Sequence, residues 1–86
     1  VVDLGKTNKK VAVVDDRLGL VAARTASIAA APDAHGILRE RTDAIWDFIC
    51  DALAELGRAH PIGAVSITAH GATWALIGDA GLATPV

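Results

Sequence analysis

The first fifteen residues, Val-Val-Asp-Leu-Gly-Lys-Thr-Asn-Lys-Lys-Val-Ala-Val-Val-Asp, constrain the fold more than any other stretch. Two apolar runs, residues 1–3 and Lys10–Asp15, flank a polar bend of Gly5, Lys6, Thr7, Asn8 and Lys9. Short β-branched runs around a glycine-containing bend predict paired strands rather than a helix. An acid at the end of the first strand, a glycine, small polar side chains and lysines thus meet in one hairpin. That inventory suits a polyphosphate and its metal ion.

The chain continues in the same vein. Asp15-Asp16-Arg17-Leu18-Gly19 reads as a second hairpin turn, with Gly19 supplying the permissive backbone. Leu20 to Ile28 reads as a third antiparallel strand, and residues 29–37, with Pro32, Asp33 and Gly36, as a loop. Ile45, Phe48, Ile49, Ala52, Leu53 and Leu56 recur at helical spacing and predict an amphipathic helix with one apolar stripe. Thr42 or Asp43 is its candidate cap, with a start nearer Gly36 as the alternative, Gly57 is a candidate stop, and Pro61 forbids continuation. Ile62 to Ala69 reads as a buried strand running into His70-Gly71, Trp74 to Ile77 as a further strand, and Gly78–Gly81 as a turn.

Length and composition set limits on all of this. With 86 residues the chain makes one small domain or part of a larger one, and a domain this small buries only about 60–65% of its unfolded surface. Apolar residues make up 52% and charged residues 21%, which excludes a disordered class. The net charge of −2 and the lack of a basic patch beyond Lys6–Lys10 argue against nucleic-acid binding. No run approaches the roughly 18–20 apolar residues of a membrane span, so no membrane partner is expected. No signal peptide is visible. Cys50 is the only cysteine, which fits a reducing cytoplasm. The absence of methionine, and a first residue already within a strand, predict a piece of a longer protein.

Chemically, Gly5 lets backbone amides approach a phosphate without a Cβ in the way. Successive amides in such a bend form an anion-binding concavity. Thr7 and Asn8 add side-chain donors. Lys6, Lys9 and Lys10 add charge, although alternation prevents all three from pointing the same way. Asp3 is placed to hold Mg²⁺ directly or through water. The same residues equally suit an ordinary hairpin with solvated lysines. The bend is not a Walker A loop, because the spacing differs and a strand follows it.

A second polar segment, Thr68-Ala69-His70-Gly71-Ala72-Thr73-Trp74, follows a strand, where ligand crevices form in α/β sheets. His70 has donors for a sugar hydroxyl, and Trp74 an apolar face for a sugar ring. A surface histidine and a core tryptophan are the plainer readings. His35 and His60 read as solvated loop residues, Cys50 as a helix residue near the core. Asp43, Asp47 and Asp51 read as a solvated helix face.

Asp3-Leu4-Gly5-Lys6-Thr7-Asn8-Lys9-Lys10, followed by a strand ending on Asp15, resembles the first phosphate motif of the actin-like ATPase and sugar kinase superfamily. In particular it resembles the FGGY carbohydrate kinases, whose pattern is Asp-x-Gly-Thr-[Thr/Ser]-[Ser/Asn]-x-[Lys/Arg]. Asp3, Gly5, Thr7, Asn8 and Lys10 match, and Lys6 stands where the family has threonine. The segment His70 to Ile77, with Gly81 beyond, resembles the Gly-Val-Asp-x-x-Leu stretch of the fuculokinase and rhamnulokinase branch. Thr73 takes the place of its aspartate. His70-Gly71-Ala72 replaces the Gln-Arg-Glu of glycerol kinases, which argues against glycerol.

The resemblance implies an α/β, ribonuclease H-like fold: a mixed sheet opening with a three-strand antiparallel meander, then a helix and further strands. Residues 1–86 would be the incomplete N-terminal part of the kinase's N-terminal domain. It implies ATP and Mg²⁺ as cofactors and phosphoryl transfer to a ketose or deoxyketose in the cytoplasm, and leaves a homodimer possible. Asp3 would hold the metal. Gly5, Lys6, Thr7, Asn8 and Lys10 would hold phosphates, and His70, Gly71 and Thr73 would face the sugar. The general base, an aspartate, and the adenosine site would lie downstream, so no residue here is expected to be catalytic and the isolated segment is expected to be inactive. Two other readings are an actin-like or chaperone-type ATPase, against which the His70 segment argues, and a non-catalytic sugar-binding regulatory domain of the same fold.

Overall fold

A computed structural model of the chain describes residues 1–84 and 86. Its main sheet has the strand order β3-β2-β1-β6, formed by β1 (Val2–Leu4), β2 (Asn8–Val14), β3 (Leu20–Ser27) and β6 (Ile67–Ala69). The first three strands pair antiparallel in sequence order, and β6 joins β1 in parallel on the other side. The expected meander is therefore present, and the sheet is mixed. The strands are displaced slightly from the sequence reading: the bend shrinks to Gly5–Thr7, because Asn8 and Lys9 already pair with Ser27 and Ala26.

Between β3 and the helix lies a small hairpin of β4 (Ala31–Pro32) and β5 (Leu38–Arg39), whose first strand and turn fall in residues 29–37, read from the sequence as a loop. Its turn is organised by Asp33. The Asp33 Oδ1 accepts hydrogen bonds from the backbone N–H groups of His35 and Ile37, at 2.8 and 3.0 Å, and Oδ2 accepts from Arg39 Nε at 3.0 Å. Gly36 takes a positive φ of 77° there. These hydrogen bonds, led by the two backbone ones, hold the Asp33 carboxyl below the usual carboxylate range. A side chain bonding its own backbone makes a two-residue strand pair visible in three dimensions that no hydrophobic pattern announces.

The helix α1 (Thr42–Ala59) packs on the inner face of the sheet, against β2 and β3. Its stripe residues Ile49, Ala52 and Leu56 are buried with Val2 and Val11. Burying a side chain such as Ile49 or Leu56 contributes about 1.5–3 kcal/mol. Arg24 of β3 reaches across to Glu55 on the helix. Neither candidate cap serves: Arg41 occupies the N-cap position and no side chain caps the first turn. Asp43 in the first turn and Arg58 in the last complement the helix dipole instead. Gly57 does not stop the helix, which runs on to Ala59 and ends where Pro61 lacks an N–H to extend it.

Two further readings change. The strand expected over Ile62–Ala69 is three residues long, and its side chains are exposed. It pairs only with β1, itself three residues long, so residues 62–66 have no strand to bond beyond the Val2 N–H to Ser66 carbonyl contact of 2.8 Å. The strand expected over Trp74–Ile77 is instead β7 (Ile77–Gly78), closed by the expected Gly78–Gly81 turn onto β8 (Gly81–Leu82). In the Asp15–Gly19 turn the positive φ falls on Leu18, at 62°, rather than on glycine. Asp15 Oδ1 accepts from the N–H groups of Arg17 and Gly19 and holds that turn shut. Among the described residues no helix is long and apolar enough to cross a membrane.

Candidate functional site

The pleat sorts the chemistry of the hairpin onto two faces. Cross-strand partners share a face of the sheet, and the register pairs Asp3 with both Lys10 and Thr68, and Lys10 with Thr25. Thr25, Lys10, Asp3 and Thr68 therefore form one exposed row across all four strands, on the face opposite the helix. Asp3 and Lys10 form no ion pair with another side chain among the described residues. No group of three His, Cys, Asp or Glu side chains comes together there either. Asp3 thus offers a single exposed carboxylate. Magnesium is commonly bound this way, by one or two carboxylates with phosphates and water completing its octahedron.

Lys9 behaves differently. It lies on the inner face in phase with Val11, and only 2% of it is exposed. Its Nζ donates to the carbonyl oxygens of Gly5 at 2.7 Å and of Lys6 at 3.0 Å, and lies 3.9 Å from Glu40 Oε2. Its charge is spent inside the protein, so it is not available to a phosphate, whereas Lys6 and Lys10 are exposed. Gly5 is required by close approach: a Cβ there would come within 2.9 Å of the Asn8 carbonyl oxygen. Thr7 is anchored through its carbonyl, which accepts from the Ile28 N–H at 2.9 Å. The Thr7 and Asn8 side chains remain exposed.

The second polar segment arrives at the same place. The His70 N–H donates to the Leu4 carbonyl at 2.9 Å, and the Thr73 N–H to the His70 carbonyl at 3.1 Å. The ladder from β6 thereby delivers the His70–Thr73 turn to the carboxyl end of β1, beside Gly5. A hollow of about 300 Å³ lies on the helix side of the carboxyl ends of β1 and β6, with Gly5, Lys9, Glu40, Trp46, His70 and Thr73 in its walls, and Asp3, Lys6, Thr7, Asn8, Lys10 and Gly71 outside its lining. A larger hollow of about 540 Å³ sits at the opposite end of β1, among residues 61–66 and Ala12–Asp16, away from both turns.

The sequence reading misses Lys9, Glu40 and Trp46 in this hollow. Alternation carries the signal for Lys9, since it shares its parity with Val11 and Val13. Trp46 sits one position off the apolar stripe and nothing local marks it. Trp74 does not line the hollow and is 72% exposed, so it is neither a core residue nor a wall of the site. Cys50 is exposed rather than near the core. Asp43, Asp47 and Asp51 form the expected exposed face, well removed in role from the two turns.

No protein-family model matches the chain, and no curated protein matches it. Among solved structures it matches the crystal structure of a carbohydrate kinase from Novosphingobium aromaticivorans, with a TM-score of 0.78 at 26% identity over 98% of this chain. The chain is similar to part of a carbohydrate kinase. It spans 18% of that kinase's length. The likeness covers 98% of this chain, and so extends over the sheet, the helix and both turns.

Proposed function

We propose that this chain is the N-terminal, phosphate-binding part of an ATP-dependent carbohydrate kinase of the FGGY type, with a ribonuclease H-like fold. The observation that carries the reading is the meeting of the Gly5 and His70 turns at one end of β1, around a shared hollow. Phosphoryl transfer asks for positioning and charge neutralisation of two reactants held side by side. Two polar turns on adjacent parallel strand ends supply that arrangement.

In this reading a ketose or deoxyketose hydroxyl attacks the γ-phosphorus of ATP, the bond to the β–γ bridging oxygen breaks, and ADP leaves. Asp3 would hold Mg²⁺, which neutralises phosphate charge when bound. Gly5, Lys6, Thr7 and Asn8 cradle phosphates and Lys10 adds a positive charge on the Asp3 row. His70, Gly71 and Thr73 face the sugar, and Trp46 closes the hollow with an apolar wall. The hydroxyl's proton goes to an aspartate outside these residues, so the isolated chain does not turn over. A cytoplasmic location and a sugar as sole small-molecule partner beside ATP complete the proposal.

ADP release from the full-length polypeptide, measured against a panel of ketoses and deoxyketoses, tests it. Stimulation by at least one sugar is expected. ATP hydrolysis indifferent to every sugar would favour an actin-like ATPase, and sugar binding without ADP release a regulatory domain; either result overturns the kinase.

A further inference from the structure

A charged side chain on the inner face of a sheet is costly unless its donors are satisfied. Lys9 occupies such a position, in line with Val11, and is 2% exposed. An ammonium has three donors. Two go to the carbonyls of Gly5 and Lys6, and Glu40 Oε2, 3.9 Å from Nζ, forms an ion pair with the ammonium rather than a hydrogen bond. That oxygen is buried and has no hydrogen bond among the described residues, so Lys9 is its electrostatic partner. Glu40 lies between β5 and α1, and the pair therefore ties the bend to the start of the helix across the floor of the hollow.

The consequence lies in the backbone. Every peptide bond described is trans, and in a planar trans peptide the carbonyl and the following N–H point in opposite directions. Carbonyls of Gly5 and Lys6 drawn inward onto Lys9 send the N–H groups of Lys6 and Thr7 outward. Two successive outward amides make the donor concavity that an anion occupies. We infer that Lys9 is a positioning residue: neutralised by Glu40, it acts as a strut that aims the Lys6 and Thr7 amides at the phosphates of the nucleotide. The inference rests on the kinase reading for the identity of that anion, while the strut itself rests only on the contacts above.

The test uses the full-length polypeptide. Amine acetylation followed by mass spectrometry should modify Lys6 and Lys10 readily and Lys9 at least tenfold more slowly; equal rates overturn the strut. Lys9→Met should weaken binding of magnesium adenylyl imidodiphosphate at least tenfold and leave adenosine, which has no phosphates, unchanged. The double variant Lys9→Met/Glu40→Leu removes both buried charges and should recover the melting temperature lost in Lys9→Met without recovering nucleotide affinity. Affinity that returns together with melting temperature, or Lys9→Met that binds as the wild type does, overturns the positioning role. A wild type that binds no nucleotide, with Lys9 still shielded from acetylation, overturns the kinase reading instead, and the two failures are read apart by the acetylation arm.

Discussion

The backbone N–H of His70 donates a 2.9 Å hydrogen bond to the carbonyl oxygen of Leu4, joining the end of β6 to the residue before Gly5. Through that bond two polar segments at opposite ends of the sequence become neighbours. The parallel register of β1 and β6 extends the same relationship along the strands, with Asp3 beside Thr68 and Leu4 beside Ala69.

Asp3→Ala should lower sugar-dependent ADP release at least ~100-fold, the scale on which removal of one preorganised electrostatic group acts. Asp3 is exposed and forms no ion pair among the described residues, so unfolding free energy should change by no more than about 0.5 kcal/mol. Kinetic assays and thermal melts on the same preparation check both. A variant that retains turnover removes Asp3 from the metal site.

Gly5→Ala places a methyl group 2.9 Å from the Asn8 carbonyl oxygen, which is backbone and cannot swing aside. The bend must open, at a cost of roughly 1–3 kcal/mol. Urea unfolding midpoints should fall accordingly, and nucleotide affinity should fall with them. An unchanged midpoint would mean that the bend relaxes freely and that glycine is not required.

Trp46→Ala and Trp74→Ala separate the hollow from the surface. Trp46 is 64% exposed at the rim of the hollow, and its removal should raise the sugar KM about tenfold, equivalent to roughly 1.4 kcal/mol of lost contact, with little effect on stability. Trp74 lies outside the hollow, and its removal should leave that KM unchanged. The reverse ranking, read from initial-rate kinetics, would return the sugar-facing role to Trp74.

The Asp33 turn carries a pH dependence with a definite sign. Its carboxyl is held below the ordinary value of 3.8 by hydrogen bonds from the His35 and Ile37 N–H groups and by Arg39. A lowered native pKa means that the contribution to the β4–β5 hairpin is complete above the ordinary value and is lost as pH falls through the lowered one. The Asp33 carboxyl carbon, followed by NMR, should titrate below the ordinary value of 3.8. Its hairpin should be indifferent to pH near neutrality. A midpoint at or above 3.8 contradicts the turn's hydrogen bonding.

The legible parts of the fold are those in which the cause is local. Val1-Val2 and the run Val11–Val14 are apolar, and Gly5 sits in the polar bend between them. The stripe from Ile45 to Leu56 has only one helical solution. These patterns place Asp3, Lys10 and the helix before any tertiary contact is known. Lys9 is a partial case: its parity with Val11 announces the inner face, while composition suggests a solvated lysine cluster. Trp46 and Trp74 are indistinguishable by local pattern, because what separates them is which one a distant turn approaches.

From the sequence alone follow the strand–turn–strand opening, the antiparallel meander, the helix and the resemblance of both polar segments to a sugar kinase, since each depends on residues within a few positions of one another. The tertiary structure decided that Lys9 is a buried strut paired with Glu40, that β6 is only as long as the strand it pairs with, and that His70 meets Gly5 beside a hollow walled by Trp46. Those outcomes depend on contacts between residues far apart in the chain. Pairing register and packing select among them by small differences in burial and hydrogen bonding, which no local window of sequence contains.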